Sequence, residues 1–134
     1  MRIFIDANLL IYLNTLTTED TRRTYENFYI NLAIENRMYT DVLVLDEVIY
    51  ISEKRYSIPY TTTLNFIESI ILPYITILPL SEDEYNEAAK IIEKYHTKPS
   101  DALHIGAMKT NDIKVIASED KELDRIEGIR RIWI

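Results

Sequence analysis

Short apolar stretches alternate along this chain with longer segments whose apolar residues recur at helical spacing, and this alternation constrains the fold more than any other feature. The apolar stretches predict four strands, at Arg2–Ile5, Ile75–Leu80, Val115–Ala117 and Ile129–Ile134. Strands separated by helices usually pair in parallel through right-handed crossovers. The pattern therefore predicts an α/β fold with a parallel sheet. The length of 134 residues is that of one domain, 1–134.

Six helices are predicted between the strands, with only two glycines and four prolines to interrupt them. They run through Leu9, Leu10 and Leu13, from Thr18 through Ala33, from Val42 to Arg55, from Pro59 to Pro73, from Ser81 through Ile92 and from Pro99 through Met108. The faces expected in the core are Tyr25, Phe28, Tyr29, Leu32 and Ala33 in the second helix, Leu64, Ile67 and Ile71 in the fourth, and Tyr85, Ala88, Ala89 and Ile92 in the fifth.

The segment Val42–Ile51 fits two structures, because it is apolar almost throughout and its periodicity alone would also suit a strand. Its extension to Arg55 and the Asp46-Glu47 pair inside it favour a buried helix. A carboxylate in such a helix is costly unless it is paired or binds a metal, which makes Glu47 a candidate site residue. Asp46 beside it indicates that one side of the helix is solvated.

The chain is acidic, with a formal net charge of −7, which gives no electrostatic reason to expect nucleic-acid binding. A carboxylate cluster that holds divalent cations reverses this field locally, so a nuclease is not excluded. Basic residues occur in pairs at Arg22-Arg23, Lys54-Arg55 and Arg130-Arg131. These pairs either contact a nucleic-acid backbone or are solvated surface. The absence of cysteine excludes disulfides, thiolate metal ligands and cysteine nucleophiles. Any metal must therefore bind oxygen or imidazole.

No feature of the chain indicates export or a membrane anchor. The first apolar stretch is interrupted at Asp6 and Asn8 and lacks a small-residue cleavage site, so it does not resemble a signal peptide. The remaining apolar runs are too short to span a bilayer. We therefore expect a cytoplasmic protein.

Two acidic residues follow predicted strands. Asp6 comes directly after the first strand, and Asp120 follows Val115–Ala117, with Ser118 between as a possible hydroxyl partner. Ligands of open parallel sheets bind beyond the carboxyl ends of the strands. Asp101, at the start of a helix, and Glu47 extend this set to four carboxylates.

Each of these acids also has a purely structural explanation. Asp6 or Asn8 could cap the following helix, and Asp101 in a first turn favours the helix dipole. Asp120 lies in a polar run that resembles an ordinary turn. The functional interpretation therefore depends on the set rather than on any one member.

The two histidines do not form a metal pair by spacing. His104 lies three residues after Asp101 on the same helical face, but no second histidine stands at ligand spacing, which favours a packed, hydrogen-bonded side chain. His96 is expected at the surface. The ten tyrosines recur with aliphatic residues and indicate packing rather than base stacking. No glycine-rich phosphate loop or Ser-His-Asp order is present.

Four segments together resemble the acidic motifs of PIN-domain proteins, in order and over nearly the whole chain. They are IFIDANLLIY, VLVLDEVIYI, KPSDALHIGAM and VIASEDKELDRI. The chain is similar above all to the single-domain VapC-like toxins of bacteria and archaea. The resemblance implies a parallel sheet of about five strands flanked by helices in three α/β/α layers.

The resemblance also implies the site. Asp6, Glu47, Asp101 and Asp120 would form the acidic quartet, with Asn8 and Ser118 as polar supports. Ser118 stands where the family often has threonine. Glu119 offers a second acid beside Asp120, and Asp124 is a further candidate, so the fourth carboxylate stays open between them.

The implied activity is metal-dependent cleavage of RNA. Oxygen-only ligands select hard cations such as Mg²⁺ or Mn²⁺, which would bind the quartet. A homodimer and an antitoxin partner are implied as well. The alternatives are a catalytically weak interaction module, an RNA-processing nuclease without an antitoxin, and a receiver-type phosphotransfer domain, whose required lysine after a later strand is not clearly placed. Which RNA is cut is left open.

Overall fold

The computed structural model describes every residue, 1–134, and contains one five-stranded parallel sheet. The strands are β1 (Arg2–Ile5), β2 (Arg37–Asp41), β3 (Ile75–Leu78), β4 (Val115–Ala117) and β5 (Arg130–Ile132). The helices are α1 (Ala7–Thr15), α2 (Glu19–Glu35), α3 (Val42–Tyr56), α4 (Tyr60–Phe66), α5 (Glu82–Tyr95) and α6 (Pro99–Thr110). A π-helical turn, Ile67–Ile71, extends α4, and a 3-10 helix, Lys121–Arg125, follows β4.

The strand order is β3-β2-β1-β4-β5, with β1 at the centre. Ile3, Phe4 and Ile5 of β1 are fully buried, as expected for a strand covered on both faces. The chain builds the sheet outward from β1 through β2 to β3 and then returns to the other side of β1 as β4 and β5. The loops after β1 and β4 therefore diverge, which opens a crevice at their carboxyl ends.

The predicted parallel α/β fold is confirmed, as are the six helices and the helical structure of the ambiguous segment, now part of α3. The sequence analysis missed β2. This strand pairs with β1 on one side and β3 on the other, so its stability comes from residues distant in sequence. Its own five residues, two of them charged, show no strong apolar pattern.

All three predicted helical core faces are partly wrong. Tyr85 is 61% exposed, because the buried stripe of α5 runs through Glu84, Ala88 and Ile91, one position away. Glu84 is drawn inward by the capping box, in which Ser81 contacts its carboxylate. Ala33 near the end of α2 and Leu64 in α4 are likewise exposed. The amphipathic pattern thus located the helices but not the rotation of every face.

Two strands are also shorter than predicted. Β3 ends at Leu78 rather than Leu80, and β5 is limited to Arg130–Ile132 within the predicted 129–134. Both changes follow from the extent of pairing with the neighbouring strand. The residue at which a strand ends depends on the strand it pairs with, and the local sequence does not identify that neighbouring strand.

Candidate active site

The centre of the sheet brings two distant segments side by side. Β1 and β4 are paired in parallel, with Ile5 opposite Ala117, so the residues that follow, Asp6 and Ser118, are neighbours. The backbone N–H of Asp6 donates to the carbonyl of Ala117 at 3.1 Å, which extends the pairing by one step. This is the point in the sheet where the strand order reverses and where ligands of α/β proteins bind.

An open depression of about 350 Å³ lies at this position. Its wall contains seven residues, none of them hydrophobic: Asp6, Asn8, Glu47, Lys98, Asp101, Glu119 and Asp120. All four acids of the predicted quartet therefore surround one space, although they lie on four separate segments of the chain. A wholly polar depression with five carboxylates and one amine suits a charged ligand rather than an apolar one.

Asp6 is held by both of its carboxylate oxygens. Oδ1 accepts the backbone N–H of Ala7 at 2.8 Å, and Oδ2 accepts the hydroxyl of Ser118 at 2.6 Å. The Ser118 oxygen in turn accepts the backbone N–H of Asp120 at 3.1 Å. The helix-capping explanation for Asp6 is thus correct, but the same side chain also lines the depression. The serine links two acidic segments and fixes their separation.

Glu47 and Asp101 are half-buried carboxylates whose ionisation is disfavoured. Burial, together with the nearby charges of Asp6 and Asp120, raises the pKa of Asp101 to about 6. Burial and the charge of Asp6 also raise the pKa of Glu47. His104 and Lys98 oppose these effects in both cases. The acids are therefore close enough to repel one another.

Glu119 is held more firmly than its neighbour Asp120. Its Oε2 accepts the Tyr12 hydroxyl at 2.6 Å and the Asn8 amide at 3.0 Å. Burial, together with this hydrogen bond and the charge of Glu119, raises the pKa of Tyr12 well above its usual value. Asn8 therefore supports the site through Glu119. Asp120 instead caps the 3-10 helix, accepting the backbone N–H of Glu122 at 3.0 Å.

The sequence analysis did not consider Lys98 or Tyr12. Lys98 is the first residue of the KPSDALHIGAM segment and the N-cap of α6, and it is the only cation in the wall of the depression. Tyr12 lies on α1, four residues after Asn8, so both face Glu119 from one side of the helix. That spacing was visible in the sequence, but Glu119 as their common partner was not.

Asp124 does not face the depression. Its carboxylate pairs with Arg131, whose Nε lies 2.9 Å from Oδ1 and whose Nη2 lies 3.1 Å from Oδ2. Arg131 also donates to the carbonyl of Ser118 at 3.1 Å. Asp124 thus helps to anchor β5 to the loop after β4.

Comparison with known families matches the model described as "PIN domain" to residues 3–129. The chain belongs to the PIN-domain family. The match covers nearly all of the sequence, as the resemblance of the four acidic segments predicted. No curated protein gave a significant match.

Solved structures resemble this PIN domain over more than nine-tenths of their length. VapBC2 from Rickettsia felis, bound to a promoter DNA fragment, matches with a TM-score of 0.74 and 18% identity, covering 100% of this chain and 99% of that chain. DNA-bound VapBC from Salmonella typhimurium matches with a TM-score of 0.73 and 22% identity, covering 99% and 98%. VapC20 from Mycobacterium tuberculosis, described as a toxin cleaving the sarcin-ricin loop, gives 0.72 and 13%, covering 91% and 92%. At these identities the similarity establishes the fold, including its three α/β/α layers.

His104 of this PIN domain is a buried structural residue, as predicted. Its Nδ1 lies 2.7 Å from Oδ2 of Asp41, which is itself fully buried at the end of β2. Burial disfavours the imidazolium, but the hydrogen bond and charge of Asp41, with the charges of Asp6 and Asp101, raise the pKa of His104 overall. His96, predicted at the surface, is exposed.

The structure contains no helix that combines the length and the hydropathy required of a membrane span.

The donor set of the depression fits a hard divalent cation, since it consists of carboxylate oxygens without sulfur or imidazole. The raised pKa values of Asp101 and Glu47 show negative charge that a cation would relieve. As the side chains stand, no three acids converge into a ready-made coordination shell. Asp6 and Asp120 accept hydrogen bonds within the protein, and each carboxylate oxygen keeps a second lone pair with which it could bind an ion.

Proposed function

We propose that this PIN domain is a metal-dependent endoribonuclease, the toxin of a VapBC-type pair. The observation that carries the proposal is the arrangement of Asp6, Glu47, Asp101 and Asp120 around one polar depression at the reversal point of the sheet. Structural capping does not explain all four, because Glu47 and Asp101 are held half-buried beside other acids against their own ionisation. Such repulsion is typical of sites that bind cations.

Asp6, Asp101, Asp120 and Glu47 would hold Mg²⁺ or Mn²⁺. The ion would supply the positive charge that lets a phosphodiester approach this acidic depression and that offsets negative charge on the leaving oxygen. Lys98 is placed to contribute a second positive charge in the same wall. The net charge of −7 therefore does not oppose RNA binding at this position.

The residues themselves would position the attacking water and accept its proton. Glu47 could accept this proton, because its raised pKa makes it a stronger base than an exposed glutamate. The water oxygen would bond to phosphorus as the bond from phosphorus to the 3′ oxygen breaks. The products would carry a 5′-phosphate and a 3′-hydroxyl. Ser118 would keep Asp6 oriented throughout.

The substitution Asp6→Asn tests this proposal. We expect it to abolish Mg²⁺- or Mn²⁺-dependent cleavage of RNA while circular dichroism shows an intact fold, because the amide can still accept the Ala7 N–H. Asp46→Asn is the matched control, since Asp46 is exposed on α3 beside Glu47 but outside the depression. Asp6→Asn protein that cuts RNA as fast as the parent would refute the nuclease.

An antitoxin is the partner implied by the relatives, whose structures contain VapBC complexes. An apolar groove of about 290 Å³ between α2 and the end of α4 is the surface that suits it. Five of its seven wall residues are hydrophobic, among them Tyr29, Ile30 and Phe66. An amphipathic helix would fit such a groove.

Co-expression with the product of the adjacent reading frame tests the partnership. We expect a short protein with a basic DNA-binding half that co-purifies with the parent and not with Ile30→Asp protein. Its absence would favour the alternative of an RNA-processing nuclease without an antitoxin. Retained binding without metal-dependent cleavage would favour the catalytically weak interaction module. A homodimer, expected by resemblance, is checked by light scattering on the purified chain.

A further inference from the structure

A second pocket adjoins the acidic depression and has the opposite charge. It measures about 610 Å³ and lies beside β5 at the edge of the sheet. Its wall includes Lys121, Arg130, Arg131 and Trp133, and it shares Glu119 with the depression. The two spaces therefore meet at Glu119.

Only one of the three basic side chains in this pocket is paired within the protein. Arg131 is held by Asp124 and by the carbonyl of Ser118. Lys121 and Arg130 are exposed, and their side chains form neither a hydrogen bond nor an ion pair. Glu119, the single acid in the wall, is already bonded to Tyr12 and Asn8. In a chain with 15 basic and 22 acidic residues, this local excess of free positive charge favours an anionic ligand.

The pocket also has an aromatic wall. Trp133 is half-exposed and packs against two aromatic rings of α2. The ring of Phe28 lies edge-on to the indole at a centroid distance of 5.5 Å, and the ring of Tyr25 lies at 6.0 Å. An indole held in this way offers a rigid surface on which a base can stack. Cations that contact phosphates, combined with aromatic rings that stack bases, are the usual means of binding single-stranded nucleic acid.

We propose that this pocket binds the single-stranded RNA next to the scissile phosphate, with Lys121 and Arg130 contacting its backbone and Trp133 contacting a base. This assignment rests on the proposed nuclease function, which supplies the neighbouring site. The acidic depression repels RNA until a cation neutralises it, so a separate basic surface is needed to hold the strand in place. Lys121 follows Asp120 directly, which puts a backbone contact beside the cutting position.

The experiment measures RNA binding in an Asp6→Asn background, where cleavage should not interfere. A short oligouridylate is titrated while the emission of Trp133, the only tryptophan of the chain, is recorded. The variant carries Lys121→Ala and Arg130→Ala. The matched control carries Lys109→Ala and Arg37→Ala, which also removes one lysine and one arginine, both exposed and outside the walls of the pocket and the depression.

We expect RNA to change the Trp133 emission and the Lys121/Arg130 double variant to bind more weakly. Because each phosphate contact on a single strand contributes about 0.7 to the slope of log affinity against log salt, two lost contacts should lower that slope by about 1.4. The control pair should leave the slope unchanged. An unchanged slope in the variant, an equal loss in the control, or RNA binding that leaves Trp133 emission unaffected would overturn the proposal.

Two further outcomes separate this inference from the nuclease itself. If cleavage depends on Asp6 but Lys121→Ala/Arg130→Ala leaves KM unchanged, the inference fails and the nuclease stands. If the parent cuts no RNA yet binds it through Lys121 and Arg130, the nuclease fails and the RNA-binding pocket stands. Polyglutamate that competes as strongly as RNA would assign the pocket to acidic proteins and overturn the inference.

Discussion

The hydroxyl of Ser118 donates to the carboxylate of Asp6 at 2.6 Å, joining residues 112 positions apart in the sequence. The same oxygen accepts the backbone N–H of Asp120. One buried serine, 1% exposed, therefore sets the relative positions of the acids that follow β1 and β4. Any ion or phosphate in the depression depends on that spacing.

Ser118→Ala should lower both the rate of RNA cleavage and the free energy of unfolding, with the larger effect on the rate. The variant loses two hydrogen bonds, one of them to a carboxylate, at a cost of about 1–3 kcal/mol in the free energy of unfolding. Its kcat should fall because Asp6 can rotate. Ser118→Thr keeps the hydroxyl and should retain most of the activity. Urea unfolding and single-turnover cleavage measure the two effects; Ser118→Ala protein with the parent rate would show that Asp6 needs no such support.

Asp101 should make the metal-free protein less stable as the pH rises. Its pKa is raised to about 6 in the folded protein, so the folded state holds this proton more tightly than the unfolded chain does. The favourable contribution is therefore complete below the ordinary aspartate pKa and is lost as the pH passes about 6. Asp101→Asn removes this loss and should stabilise the metal-free protein at neutral pH by about 1 kcal/mol, after allowance for solvent screening.

Urea unfolding in the presence of a chelator, from about pH 4 to pH 8, measures this effect. Asp46→Asn, an exposed substitution on α3, is the control and should track the parent. A parent whose stability rises across this range relative to Asp101→Asn would contradict the raised pKa.

Divalent cations should stabilise the folded protein. A ligand present at one hundred times its dissociation constant adds about 2.7 kcal/mol, and here the ion also relieves repulsion between acids. We expect Mg²⁺ or Mn²⁺ to raise the Tm of the parent and to leave the Tm of Asp6→Asn protein unchanged. Asp124→Asn should keep the metal response, because Asp124 pairs with Arg131 outside the depression. Loss of the response in Asp124→Asn protein would instead place Asp124 among the ligands.

Gly106→Ala should destabilise the contact between α5 and α6. A Cβ at Gly106 would lie 2.5 Å from the backbone carbonyl oxygen of Glu84, so the helices would have to separate. Overpacking of this kind costs about 1–3 kcal/mol. Gly128→Ala is the comparison, since Gly128 has open space around it and its φ of +85° adds only backbone strain. Thermal unfolding measures both variants, and Gly106→Ala protein with the Tm of the parent would argue against the close approach.

Much of the fold could be read from local patterns. The apolar strand β1, the helix periodicities and the capping box of α5 are each contained in a few consecutive residues. The acids of the candidate site were also recognisable, because Asp6 and Asp120 follow predicted strands, Asp101 lies at the start of a helix and Glu47 lies inside an apolar helix. The strand β2 and the exposure of Tyr85 could not be predicted from local patterns. Strand pairing and the rotation of a helix about its axis depend on residues far away in the chain.

By itself, the amino-acid sequence determined that strands and helices alternate, that no thiol chemistry is available, and that Asp6, Glu47, Asp101 and Asp120 are the acids to consider. Only the tertiary structure decided that these acids share one depression, that Glu119 is bound by Tyr12 and Asn8, and that Asp124 turns to Arg131. The physical reason is that local order follows from propensities over a few residues. Distances between side chains follow from the strand order of the whole sheet.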